Sequence, residues 1–459
     1  MDMRLMLQLL QRLETLRRHE RWTREQLVAY QGDRLRRLRQ FAAAHSPFYR
    51  DFHHGMADRP LNELPVLTKA MLMEHFDDVV TDRAVRLGDV RAHLAGRHGA
   101  EPYRGRYVIN STSGSTGQPG LFLFDREEWA GVLASFGRAH EWAGVRVSLR
   151  HRMKMASVAS TSPAHMSARV GASLESWWMP ALRLAASEPL AEVVRQLNRW
   201  QPDMLVAYAS MARILAEEQM AGQLRIHPHL VFTSSEVLTE DARRRIEAAW
   251  GLPAFNQYAS TETGGLAAET TDHNGLEVFE DQVIVEPVDA ELRPVPPGVF
   301  ADKLLVTVLF NRTQPLIRYE LSDSVRFSTE PNPSGRPFAR IDEVQGRTED
   351  ILHLPSPTGD QVAVHPVVFH AAFDRLPVGG WQVVQEAGSL RLLLAGVVDG
   401  EVQEQAVLDN VTQALQAVGV DPPLIRVERV SAIPKAASGK APLVLARRPS
   451  SVTADARLL

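Results

Sequence analysis

The chain has 459 residues, a net charge of −4 and no cysteine. That length predicts about two to four domains with ample core, and the charge excludes a general nucleic-acid or anionic-membrane binder. The lack of cysteine excludes disulfides, thiolate metal sites and a cysteine nucleophile, and it fits the cytoplasm. The N-terminus, Met1 to Leu10, is apolar but interrupted by Asp2, Arg4 and Gln8. It reads as an amphipathic helix running on through Glu14 and Arg17 rather than a signal peptide. Leucines at three- and four-residue spacing predict helices over 3–44, a pattern that Ser46-Pro-Phe-Tyr49 breaks. From about 104 to 310, strand-like apolar runs alternate with helical stretches, as in Leu205 to Ala207, Met211 to Met220 and Leu230 to Thr233. A further helix is bounded by Thr239 as N-cap and Gly251 as its stop.

A boundary falls near Gly346-Arg347, beyond which Trp381 to Val384, Leu390 to Val398, a helix over about 401–418 and Ile425 to Val427 suit a small separate domain. The run Leu390 to Val398 is too short to span a bilayer. Arg447 to Leu459 is polar, rich in small residues and expected to fray. The expected fold class is α/β: a large layered α/β N-terminal domain (1–346, with helices over about 1–50) and a small mobile α+β C-terminal domain (347–459).

Four segments carry chemistry. The first is Ser111-Thr-Ser-Gly-Ser-Thr-Gly-Gln-Pro-Gly120, set between the strand-like Tyr107 to Asn110 and Leu121 to Phe124. Glycines let backbone N–H groups approach an anion, and the hydroxyls of Thr112, Ser113, Ser115 and Thr116 add donors. A flexible linker has the same composition. The second is Phe255 to Gly265. There Tyr258 offers a flat face for a base, Thr261 a hydroxyl for a phosphate and Glu262 a hard oxygen ligand for Mg²⁺. The alternative is a turn after a buried strand. The third is Pro315-Leu-Ile-Arg-Tyr-Glu-Leu-Ser-Asp323, followed by Gly346-Arg347. A carboxylate at a strand end can accept both hydroxyls of a ribose, and Arg347 can add a donor, although a surface ion pair is the commonplace reading. The fourth is Ile433 to Pro442, where Lys440 on a Ser-Gly turn is either a mobile cation or a solvated loop residue.

The order and spacing of these four segments resemble the adenylate-forming superfamily of acyl-CoA synthetases, peptide-synthetase adenylation domains and luciferases. Pro47-Phe-Tyr49 after N-terminal helices and Pro315-Leu-Ile-Arg-Tyr319 make the chain most similar to the phenylacetate–CoA ligase and capsule-associated branch. The resemblance, over about residues 30–445, implies ATP-dependent activation of a carboxylic acid to an acyl-adenylate and transfer to a thiol. CoA is the expected acceptor. A carrier-protein thiol, an amine or another nucleophile is the alternative, and a catalytically silent nucleotide-binding homologue is a third reading. It further implies that Thr112, Ser113, Gly114, Ser115, Thr116 and Gly117 hold the β- and γ-phosphates, and that Ser235 and Glu236 lie along the adenine. Asn256 would meet the adenine amino group, and Tyr258 would stack on the ring. Thr261 would meet the α-phosphate, Glu262 would help hold Mg²⁺, and Asp323 and Arg347 would bind the ribose. Lys440 would bridge the carboxylate and the α-phosphate, carried by a domain rotating about a hinge near 347–350. The implied partners are a small acid and an acceptor, with no nucleic acid or membrane; a homodimer is allowed.

The chain departs from the family at several points. Gly120 stands where a lysine often does, so the loop lacks a cation for pyrophosphate. Ala259 replaces the usual glycine, and its methyl would favour a small or flat acid, aromatic or short aliphatic. The segment Ile351 to Pro366 is about five residues longer than the family's, which makes adenylation the firmer expectation than thioester formation. Glu269-Thr-Thr-Asp-His273 has no cysteine, so no zinc is expected. Candidates for the acid pocket are His165, Trp177, Trp178, Tyr208, Phe232 and Ala259, each with core or surface as its alternative.

Overall fold

The computed structural model describes residues 3–96, 99, 101–112, 119–145, 152–347, 350–364, 366–373, 380–395, 404–434 and 441–446. By internal contacts the chain divides into two compact units, the first Met1–Val344 and the second beginning at Gln345.

The first unit opens with helices Met3–His19 and Arg24–His45. Thr23 caps the second of these, its hydroxyl accepting from Gln26 N–H while the Gln26 side chain accepts from Thr23 N–H. A hairpin follows, β1 Val108–Ser111 and β2 Leu121–Phe124, and then the long helix Arg126–Trp142. Strands β3 Met155–Ala159, β4 Ala181–Ala185, β5 Met204–Tyr208, β6 Leu230–Ser234 and β7 Ala254–Ser260 run parallel in the order β4-β3-β5-β6-β7. Helices between them cover the sheet, so β5 reads Met-Leu-Val-Ala-Tyr and stays largely buried. Thr239 caps the helix Glu240–Trp250 through Ala242 N–H, and Gly251 ends it at φ 69°, a conformation that favours glycine.

Beyond β7 the sheet turns antiparallel through β8 Gly264–Glu269 and β9 Leu276–Val278. β10 Val283–Val288, β12 Lys303–Val308 and β13 Tyr319–Leu321 form a separate three-stranded antiparallel sheet. β11 Phe300–Ala301, β14 Asp323–Phe327 and β15 Arg340–Arg347 complete the large sheet at ten strands. The main core joins the N-terminal helices, the β1–β2 hairpin, the helix Arg126–Trp142 and the three-stranded sheet.

The second unit holds the hairpin β16 Leu352–Pro355 with β17 Gln361–Val364, and a four-stranded sheet in the order β20-β19-β18-β21. Its strands are β18 Gly380–Glu386, β19 Ser389–Ala395, β20 Leu424–Val430 and β21 Val444–Leu445. Helices Pro366–Phe373 and Glu404–Ala417 pack on it, with Phe373 stacked on Trp381 at 4.5 Å. Among the described residues, no helix is long and apolar enough to cross a membrane.

Candidate functional site

Because β3, β5, β6 and β7 are parallel, the segments leaving them gather at one edge of the sheet. The register places Tyr208 beside Ser234, and Ser234 beside Gln257. Strand order reverses between β3 and β5, and ligands of open α/β sheets bind beyond the carboxyl ends at such a point. Here the Tyr208 hydroxyl accepts from Ser160 N–H at 2.9 Å, while burial of its ring pushes the phenol up from its ordinary value. The β1–β2 hairpin reaches the same edge, with Ser111 N–H donating to the Ala164 carbonyl at 2.7 Å.

The hairpin loop is closed by two bonds. Thr112 N–H donates to the Gly120 carbonyl at 3.0 Å, and Gly120 N–H donates to the Thr112 hydroxyl at 2.8 Å. Ser113, Gly114, Ser115, Thr116 and Gly117 lie outside the described residues, as does Lys440. Arg347 ends β15, and its side chain is outside the description.

At the end of β7, Ser260 pairs with Gly264, leaving Thr261-Glu-Thr263 as a three-residue hairpin loop in which Glu262 is buried. The Ser260 and Thr263 hydroxyls lie 3.0 Å apart and brace it. Gly264 has φ 80°, and a Cβ there would stand 3.0 Å from Val132. At Gly265 a Cβ would stand 2.7 Å from the Ser135 hydroxyl, which accepts Gly265 N–H at 2.9 Å. The two glycines of this motif therefore let β8 lie against the helix Arg126–Trp142, fixing the loop that carries Thr261 and Glu262. Ser135 belongs to no motif, and its only signal in the sequence is a hydroxyl between apolar residues of that helix.

A register shift between Tyr258 and Ala259 re-aims both side chains. The Tyr258 hydroxyl donates to Asp323 Oδ2 at 2.9 Å, so two residues from distant motifs meet. Asn256 is half-buried, and its N–H donates to Glu269 at 2.9 Å. Burial alone would push the Glu269 carboxyl up, but His273 and Arg243 hold it below its ordinary value, so it accepts as an anion. The stretch 269–273 thus forms an ion-pair cluster with Arg243.

Other expected residues are placed differently. The Glu236 carboxylate accepts from Ser210 N–H at 2.9 Å, at the start of the helix Ala209–Met220. Ser235 beside it is exposed and left-handed, at φ 68°. Phe232 is 1% exposed and packed on Phe255 and His140, which places it in the core rather than in an open pocket. The Tyr208 ring is also core, with only its hydroxyl end at the sheet edge. His165 occupies the cap position of the helix Met166–Leu174. Trp177 is exposed beneath the Arg152 guanidinium at 4.3 Å. Trp177 and Trp178 lie in a bend between β3 and β4, not on a strand.

Mg²⁺ is usually held by one or two carboxylates together with substrate phosphates rather than by an all-protein cage. Glu262 is a buried carboxylate that could hold a metal in this way, and no cluster of three or more His, Asp or Glu fit to hold a metal occurs among the described residues. The Tyr258 ring is half-buried against the main core, with its hydroxyl on the Asp323 carboxylate.

No family model matches the chain. Protein CapK of Staphylococcus aureus is 25% identical over 300 residues, 64% of this chain; the match spans 60% of that relative's length. Phenylacetate-coenzyme A ligase of Thermus thermophilus is 23% identical over 406 residues, 85% of this chain and 86% of its own. Among solved structures, 2-hydroxyisobutyryl-CoA ligase in the postadenylation state in complex with R3-HIB-AMP superposes with a TM-score of 0.74 at 21% identity, covering 94% of this chain and 92% of that one. An anthranilate CoA ligase with anthranoyl-AMP gives 0.50 at 16% identity, over 72% and 65%. The structural likenesses establish a shared fold.

Proposed function

We propose that this chain is a member of the adenylate-forming superfamily and that it joins a carboxylic acid to a thiol through an acyl-adenylate, with CoA as the acceptor. The acid's carboxylate attacks the α-phosphorus of ATP and the bond to pyrophosphate breaks; the thiol then attacks the acyl carbonyl and AMP leaves. Tyr258 holds the adenine face and Asp323 the ribose, while Thr112 and the loop it closes hold the terminal phosphates. Thr261 donates to the α-phosphate. Glu262 is the carboxylate that would hold Mg²⁺, whose charge offsets that of the phosphates. On the family's pattern, Lys440 bridges the acid and the α-phosphate and Arg347 adds a ribose contact, with the smaller unit turning about 347–350 between the two half-reactions. The cytoplasm, with its CoA and ATP, is the compartment that suits a chain without cysteines.

The observation that carries this reading is the 2.9 Å bond from Tyr258 to Asp323 at the end of β7, which supports a base face and a ribose acceptor in one place. Incubation with ATP, Mg²⁺ and a panel of aromatic and short aliphatic acids, with and without CoA, tests it. Acid-dependent AMP and pyrophosphate with equimolar thioester is the expected result. Absence of acid-dependent AMP across the panel would count for the silent homologue.

A second acceptor has one observation in its favour. The segment beyond 350 forms a hairpin with a tight turn, Ser356 to Asp360, in which Ser356 N–H donates to the Asp360 carbonyl at 2.7 Å. The resemblance gives this segment a contact with pantetheine, so an altered hairpin there favours an acceptor without a pantetheine arm, such as an amine. Pyrophosphate release without CoA consumption would be its signature.

A further inference from the structure

The loop 112–120 has no lysine or arginine, and its ligand on the reading above carries several negative charges. Its closing glycine shows where a cation stands instead. A Cβ at Gly120 would lie 2.9 Å from Phe122 Cε2, 3.3 Å from Phe122 Cζ and 3.4 Å from Lys69 Cε. The space a side chain at 120 would enter is therefore bordered by the end of another lysine, 51 residues earlier in the chain. Its ammonium lies one bond beyond that Cε.

The backbone beneath Lys69 is held firmly. Leu67 N–H donates to the Arg318 carbonyl at 3.0 Å, and Glu320 N–H donates to the Leu67 carbonyl at 3.0 Å, so the chain before Lys69 pairs with Tyr319. The Thr68 hydroxyl accepts Met71 N–H and caps the short helix that Lys69 begins. Leu67 and Leu72 are wholly buried. The Tyr319 ring meets Phe122 edge-on at 5.9 Å, so one packed unit carries both Lys69 and the end of the loop. Lys69 itself is half-buried, with its Cε at the Gly120 end of the loop.

We propose that Lys69 is the pyrophosphate-binding cation of this enzyme, supplied from a separate element in place of one on the loop. It acts on the β- and γ-phosphates of the nucleotide and on the departing pyrophosphate, as a compact point charge suits. The proposal rests on the ATP-dependent reading, but its test does not depend on turnover. Inorganic pyrophosphate is titrated calorimetrically into the full chain and into the Lys69→Met and Lys69→Arg variants, with melting curves to confirm folding. Methionine keeps the apolar stem and removes the charge; Lys69→Gln serves if it fails to fold. The neutral variant should bind pyrophosphate about tenfold more weakly or worse, and arginine should recover most of the affinity. Equal binding by the parent and the neutral variant would overturn the assignment, as would a parent that binds no pyrophosphate. In turnover the neutral variant should raise KM for ATP while leaving thioester formation from supplied acyl-adenylate unchanged. An equal loss in both half-reactions would mark Lys69 as merely structural. Failure of the ATP-dependent reading itself looks different: pyrophosphate binds through Lys69, yet no acid yields AMP.

Discussion

Replacing Gly265 with alanine puts a methyl group where Ser135 already stands. Its Cβ would lie 2.7 Å from the Ser135 hydroxyl and 3.0 Å from both Ser135 Cβ and Phe279 Cε2. Neither neighbour yields easily, because Ser135 and Phe279 are each 1% exposed and the Ser135 hydroxyl donates to the Val132 carbonyl at 2.6 Å. Overpacking of this kind costs about 1–3 kcal/mol. Displacing the hydroxyl also weakens its bond from Gly265 N–H, by about 1 kcal/mol. The sum is about 2–4 kcal/mol, read from urea denaturation midpoints at constant slope. A double-mutant cycle isolates the cause. In a Ser135→Ala background the closest contact is gone while the 3.0 Å contacts remain, so the cost should fall by about 1–2 kcal/mol. A cost below about 0.5 kcal/mol, or one equal in both backgrounds, would refute the account of these glycines as packing residues.

Tyr258→Phe removes the hydroxyl bond to Asp323 and keeps the ring; KM for ATP should rise about five- to tenfold with little loss of kcat, and an unchanged KM would remove Asp323 from the nucleotide site. Glu128 is buried, accepts the N–H groups of Asp125, Arg312 and Thr313, and has its carboxyl pushed up to about 7 by burial and by Asp125. The folded state therefore holds that proton more tightly than the unfolded chain, whose carboxyl titrates near 4.5. Its stabilising contribution is full below pH 4.5 and lost as pH rises through 7, a loss of about 3 kcal/mol. Between pH 5 and 8 the wild type should lose more stability than Glu128→Gln, and parallel curves would contradict this. His140 has the opposite sign. Burial pushes it down to about 4, so its contribution is present above pH 6.5 and lost as pH falls through 4; His140→Leu should flatten stability over that range.

Much of the layered α/β unit is legible because its signals are local. Thr239 and Gly251 mark a helix from both ends, and buried parallel strands appear as short apolar runs such as Leu230 to Thr233. Tyr258 and Asp323 lie 65 residues apart in separate motifs, and the fold brings them together. What local pattern cannot carry is the partner. Phe232 has the composition of a pocket residue and the surroundings of a core residue. Glu236 sits in a nucleotide-like segment while its carboxylate caps a neighbouring helix. The Tyr49 hydroxyl donates to the Pro315 carbonyl at 2.8 Å and accepts from Ile317 N–H at 3.2 Å. The two segments that mark the branch are thus a structural latch on each other. Arg318 of the second is buried, with its guanidinium on Glu286 and the Leu64 carbonyl. Lys69 carries no motif at all, and only its distance from Gly120 singles it out.

The central claim is that the acid is adenylated before any acceptor takes part. Exchange of labelled pyrophosphate into ATP, run without CoA or any other thiol, tests it most directly. The account predicts exchange that requires a carboxylic acid, proceeds without thiol, and falls at least about a hundredfold in Lys440→Ala with the fold intact. Exchange that needs no acid, or its absence with an acid that the enzyme converts to a thioester, would contradict it.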